Sequence, residues 1–137
     1  RMGDPECQVI LPRLKTDIIK IFINVISNKL NRIKINWKKE KSMTIVLCSK
    51  GYPGNYRKNL QLQNLNKINL NNKDFIYHAG TKYKGNELRT NGGRVLNITS
   101  TGKSFSRIRA KIISIIKKIN WKKGFYRKDI GWRVIKR

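Results

Sequence analysis

The spacing of apolar residues changes twice along this chain, and the two changes limit what it can fold into. Between residues 5 and 30, Ile10, Leu11, Leu14, Ile18, Ile21, Phe22, Val25 and Ile26 recur three and four apart, the period of an amphipathic helix. Pro12 interrupts that stretch, so one helix bent there or two separate helices are both expected. Thr16 followed by Asp17 predicts an N-cap and an acidic first turn. Residues 31 to 41 are polar and basic and read as a linker.

From residue 42 the period shortens. Met43 to Ser49 is a short apolar run rich in β-branched residues, the pattern of a buried strand. Gly51-Tyr52-Pro53-Gly54 then marks a turn. The Asn-rich segment from 59 to 73 reads as a loop with one short strand near Leu60 to Gln63. Asp74 to Tyr83 alternates as a strand, and Lys84-Gly85-Asn86 turns it back into Glu87 to Thr90 as a hairpin. Asn91-Gly92-Gly93 is a second tight turn or bulge, followed by a strand from Arg94 to Ser100. The helical period returns after Ser104, a candidate cap, with a stripe of Ile108, Ile112, Ile115, Ile116 and Ile119. Arg107, Arg109, Lys111, Lys117 and Lys118 fall mostly on the other side, as a solvated face does. Phe125 to Arg137 is expected to be extended and turn-rich. The fold class is α+β: a helical segment, then a small, mostly antiparallel sheet with one long helix.

Composition narrows the partners. The 137 residues include 32 Lys and Arg against 7 Asp and Glu, a formal net charge of +25. Charge of this sign admits a basic nucleic-acid-binding module as an alternative reading. The basic residues run through helices, strands and loops alike, however, and their tight clusters are short. Over-use of Lys, Asn and Ile, as in 64–73, is also what A/T-rich coding would produce. In either case the field favours encounters with anionic small molecules. Cys7 and Cys48 are too few and too far apart for a metal site or a disulfide framework. No apolar run approaches the ~18 residues of a membrane span, and no signal-peptide pattern occurs. A cytoplasmic location is expected.

Chemistry-bearing residues gather at the front. Arg1-Met2-Gly3-Asp4-Pro5-Glu6 holds a guanidinium, a glycine and two carboxylates within six residues. An Arg fork suits a carboxylate or phosphoryl group, and the carboxylates can orient that Arg, bind an amine or contact a metal. The plainer reading is a helix start, with Asp4 as cap, Pro5 at the first position and Glu6 near the dipole. Four glycine turns follow: Gly51-Tyr52-Pro53-Gly54, His78-Ala79-Gly80-Thr81, Thr90-Asn91-Gly92-Gly93-Arg94, and Arg127-Lys128-Asp129-Ile130-Gly131-Trp132-Arg133. Each can present backbone N–H groups to an anion, or serve simply as a turn. His78, the sole histidine, reads as a hydrogen-bonded packing residue. No catalytic triad, CxxC, HExxH or P-loop occurs.

Taken in order, these motifs resemble the C-terminal part of the phosphoribosylamine–glycine ligase family, within the ATP-grasp superfamily. Residues 1–8 resemble its signature. Gly51–Tyr56, Phe75–Thr81, Thr90–Leu96 and Arg127–Arg133 resemble its successive C-domain landmarks. The resemblance implies that residues 1–33 are the helical tail of an ATP-grasp domain and 34–137 the family's C-domain. It implies a full-length enzyme that uses ATP and Mg²⁺ (or Mn²⁺) to join glycine to 5-phosphoribosylamine through a glycyl phosphate, in purine synthesis. Arg1 would face the reacting carboxylate or acyl phosphate. Asp4 and Glu6 would order the glycine and phosphoribosylamine site, and Asn91, Gly92 and Arg94 would line the cleft from the C-domain side. The family's metal ligands would lie upstream of residue 1, together with the other domains. The segment is therefore expected to be inactive alone. Its ending soon after Trp132 is expected of a stand-alone enzyme rather than a fused one.

Overall fold

The computed structural model describes residues 2–135. Its helical start is broken where Pro12 predicts. A short helix α1 spans Glu6–Ile10, and a 3-10 turn over Leu11–Arg13 carries the proline. Helix α2 spans Ile18–Ile26. Its cap is Asp17, not Thr16: the Asp17 carboxylate accepts from the Ile19 N–H at 2.8 Å. Thr16 is drawn away because its hydroxyl accepts from the Asn36 N–H at 2.7 Å. That bond, with the Leu14–Trp37 bridge, clips the segment before α2 to the segment ahead of the sheet. Residues 31 to 41 are thus a tethered connection rather than a free linker.

The main sheet has four strands. Strand β1 is Lys41–Ser49 and β2 is Asp74–His78. A separate hairpin pairs β3, Thr81–Lys84, with β4, Glu87–Thr90. Strand β5 is Arg94–Gly102, and the two-residue β6 is Gly124–Phe125. The order in the main sheet is β2-β5-β1-β6, with every pairing antiparallel. The alternating run from 74 to 83 is therefore two strands in two sheets. The break falls at Ala79-Gly80, whose N–H groups bond to the carbonyls of Val95 and Arg94 and turn the chain out of the main sheet. The predicted strand near Leu60 to Gln63 is reduced to isolated bridges at Gln61 and Gln63.

Helix α3, Phe105–Lys118, covers one face of the sheet. Ser104 occupies its cap position without capping, because its hydroxyl pairs with that of Ser106 at 2.8 Å. The isoleucine stripe does what its period demands. Ile108, Ile112, Ile115 and Ile116 are buried against Met43, Ile45, Leu47, Leu96 and Ile98 of β1 and β5. Helix α3 is also pinned by charge, through Lys111 Nζ at 3.5 Å from the buried Asp74 carboxylate of β2. The tail after Phe125 was expected to be extended, but Trp132–Ile135 forms a short helix, α4. Gly131, at φ +77°, supplies the turn into it and packs closely on Met43.

Strand alternation sends the other residues of β1 and β5 to the opposite face. That face is buried but polar: Ser42, Thr44, Asn97 and Thr99 are all enclosed. Thr44 and Thr99 bond directly, hydroxyl to hydroxyl, at 2.5 Å. Helix α1 lies against β1 and β5, so the sheet is sandwiched between α3 and the front of the chain.

Ile112 lies at the centre of the apolar layer with no exposed surface. Ile112→Ala should lower the unfolding free energy by about 2–5 kcal/mol, read from urea midpoints at constant m.

Candidate functional site

The front of the chain is hydrogen-bonded to β5 through Asp4. Its Oδ1 accepts from the Asn97 amide at 2.8 Å and from the Gln8 amide at 3.0 Å. Its Oδ2 lies 3.4 Å from Arg94 Nη2, and its backbone carbonyl accepts from Arg94 Nη1 at 2.9 Å. Asp4 is therefore not a helix cap. Pro5 takes the cap position and makes no side-chain cap bond. The sequence places these partners 90 and 93 residues apart, and antiparallel pairing of β5 between β1 and β2 delivers them to one place.

The ion pair is half open to solvent, with Asp4 35% and Arg94 43% exposed at the side chain. At that exposure the charge term contributes at most about 1 kcal/mol. The two amide bonds on Oδ1 are partly buried, and Asn97 itself has no exposed surface. Around the pair stand two free thiols and a phenol. Burial pushes the Cys48 thiol up, and the neighbouring Arg94 guanidinium pulls it partly back. Burial also raises Tyr77, with Cys7 adding to the effect.

The glycine turns come together here for steric reasons. A Cβ on Gly80 would stand 2.6 Å from both the Gly92 Cα and the Arg94 carbonyl oxygen. The Tyr52 ring packs against Gly93 with no room for a side chain between. Ser49 Oγ donates to the Gly92 carbonyl at 2.9 Å, and the Asn91 N–H donates to Gly80 at 2.7 Å. The motifs at 51–54, 78–81 and 90–94 therefore form one knot of backbone that holds Arg94 at the start of β5. Gly131 belongs to a separate contact, with Met43. His78 is exposed, its ring nitrogen 3.1 Å from Thr81 Oγ1, a local bond within its own turn.

Of the residues singled out from the sequence, the structure joins Asp4 to Arg94, with Asn91 and Gly92 in the supporting knot. Glu6 is exposed and folds its carboxylate over Gly3. Arg1 lies outside the described residues. Arg94 reaches the front of the chain through Asp4. Sequence reasoning missed Asn97 and Gln8. Asn97 did leave a signal, as a lone amide inside Val95-Leu96-Asn97-Ile98.

Among the described residues, no three His, Cys, Asp or Glu side chains converge where they could hold a metal ion. The described residues thus do not fit a metal centre, and no step is assigned to one. No helix among them is long and apolar enough to cross a membrane.

Residues 42–133, two-thirds of the chain, match the family described as phosphoribosylglycinamide synthetase, C domain. The chain belongs to this family. Across its whole length it is 38% identical to the phosphoribosylamine–glycine ligase of Brucella melitensis, covering 32% of that protein. It is 39% identical to the chloroplastic phosphoribosylamine–glycine ligase of Arabidopsis thaliana, over 99% of this chain and 26% of that one. Among solved structures, the phosphoribosylamine–glycine ligase of Thermotoga maritima matches 94% of the chain and 31% of its own length. Its TM-score is 0.69 at 28% identity. The chain thus spans about a third or less of the relatives it matches.

Two outcomes test the geometry. Gly80→Ala should part the two backbone strands and lower stability by roughly 1–3 kcal/mol, measured by thermal melting. Cys48 should react with iodoacetamide at pH 8 more slowly in the folded chain than in urea, because its raised pKa and burial both reduce accessible thiolate. Equal rates would contradict that placement.

Proposed function

We propose that this chain works as the C-terminal third of a phosphoribosylamine–glycine ligase. The full enzyme joins glycine to 5-phosphoribosylamine at the expense of ATP, as a step of purine synthesis. The observation that carries the reading is the match along the entire chain to ligases some three times its length. It is supported by helix α2, which has an amphipathic sequence and no buried residue. Ile19, Phe22, Ile23, Val25 and Ile26 stand in solvent, Ile26 with 82% of its surface. Apolar surface of that extent on one helix is ordinarily covered. The upstream lobes of the ligase are the cover we assign to it. On this reading residues 1–33 close the ATP-grasp domain, and 34–137 form the C-domain that packs on it.

Chemically, a carboxylate is a poor electrophile, and phosphorylation by ATP gives glycine a leaving group. The amine of phosphoribosylamine then attacks the glycyl phosphate, the C–N bond forms and phosphate departs. Mg²⁺ or Mn²⁺ and the nucleotide belong to the upstream lobes, which this chain would complete in the cytoplasm. Its own part is to bind and orient. Arg1 would neutralise charge on the acyl phosphate. Asp4 and Glu6 would order the amine-bearing substrates, and Asn91, Gly92 and Arg94 would brace them from the sheet side. Asp4 meets the start of β5 through Arg94 and Asn97 and keeps 35% of its side chain exposed, as a ligand-facing carboxylate requires.

The chain alone should release no glycine-dependent ADP from ATP. Supplied with the upstream lobes in cis or in trans, it should do so. Glycine-dependent hydrolysis by the isolated chain would overturn the assignment of the nucleotide site to the missing lobes. Failure of the reconstituted protein to turn over would overturn the ligase reading itself.

A further inference from the structure

We infer that Asn97 is a positioning residue of the ligase, holding the Asp4 carboxylate through Oδ1 so that Oδ2 faces the substrate side. The inference rests on the reading that Asp4 belongs to the glycine and phosphoribosylamine site. Asn97 lies mid-strand in β5, with no exposed surface, between Leu96 and Ile98 and opposite Val46 and Tyr77. An amide at such a place is expensive. Its Oδ1 is buried without a partner, whereas its Nδ2 donates to Asp4 at 2.8 Å. An apolar side chain the size of the facing Val46 would fill a strand centre without leaving a polar atom unsatisfied. Fold stability alone therefore does not explain an amide there; the bond to Asp4 does.

The chemistry of the contact adds direction. Two neutral amides, from Asn97 and Gln8, occupy Oδ1. Neither cancels the carboxylate's charge, as a lysine in the same place would. Among the described residues the Arg94 guanidinium does so in part, at Oδ2, 3.4 Å away, in a pair that is half open to solvent. The carboxylate is thus held in rotation at Oδ1. Its other oxygen, Oδ2, has no amide on it and keeps only the longer 3.4 Å contact to Arg94, so it is the oxygen we assign to the substrate amine. Gln8 supplies the second amide from α1, so the strand and the front helix both fix the same oxygen.

The test uses the full-length ligase and a double-mutant cycle over Asp4→Asn and Asn97→Val, with glycine as the varied substrate and thermal melting alongside. Asp4→Asn should lower kcat/KM for glycine at least tenfold. Asn97→Val should lower it about tenfold, the scale of one hydrogen bond to a charged group, with the melting temperature unchanged or raised. The double variant should be no worse than Asp4→Asn, because Asn97 acts only through Asp4. Additive losses, or Asn97→Val within twofold of the parent while Asp4→Asn is impaired, would overturn the positioning role and leave the site reading intact. Full activity in Asp4→Asn would remove Asp4 from the site, and this inference with it. Should Asn97→Val fail to fold, Gln8→Leu, at the half-buried end of the same contact, is read by the same criteria: a tenfold loss that vanishes in the Asp4→Asn background supports the role, and an additive or absent loss overturns it.

Discussion

Strand β5 has to satisfy two different neighbours at once, and the rest of the molecule is arranged around how it does so. Its period of two sends Leu96 and Ile98 into the isoleucines of α3. The same period sends Asn97 and Thr99 into an enclosed polar layer beneath α1. A slip of one residue would exchange the two sets and lose both contacts together. Register in this sheet is therefore specified from both faces, by oil on one side and by directional bonds on the other. The Thr44–Thr99 hydroxyl pair and the Asp74–Ser100 bond, each 2.5 Å, act as further pins on the neighbouring strands.

The two faces differ in what they can specify. Burial of isoleucine on α3 is strong but tolerant of orientation. The polar layer is weaker and exact in geometry, because each donor needs its acceptor at a set distance. The front of the chain is attached through the second kind of contact. Asp4 meets two amides and a guanidinium, while α1 buries no residue fully. Such an attachment places a loop accurately without gluing it down.

How much of this could be read from the sequence follows the same division. The α3 stripe, β1 and the hairpin at Lys84–Glu87 were legible because period and turn chemistry are local signals. The split of 74–83 was not, because alternation continues through Ala79-Gly80 and the break is imposed by the carbonyls of β5. Thr16 lost its predicted cap role to Asn36, a partner twenty residues on. The short α4 is held by Gly131 against Met43, a contact across the whole C-domain. At the site, the ordered motifs pointed to Asp4 and Arg94 separately, but their union depends on pairing between segments far apart in the chain. Asn97 announced itself only as an oddity within an apolar strand, with nothing local to name what it would hold.

Helix α2 ties the charge of the chain to its behaviour in solution. A row of isoleucines and a phenylalanine in water is an adhesive strip, and two copies meeting strip to strip would bury it. Each copy also carries +25, so approach is opposed by long-range repulsion that extends over roughly 10 Å at 0.1 M salt. Raising the salt shortens that reach and leaves the adhesion in place. The excess of lysine, whatever coding habit produced it, thus acts as a colloidal brake on an otherwise sticky surface, strongest in dilute buffer.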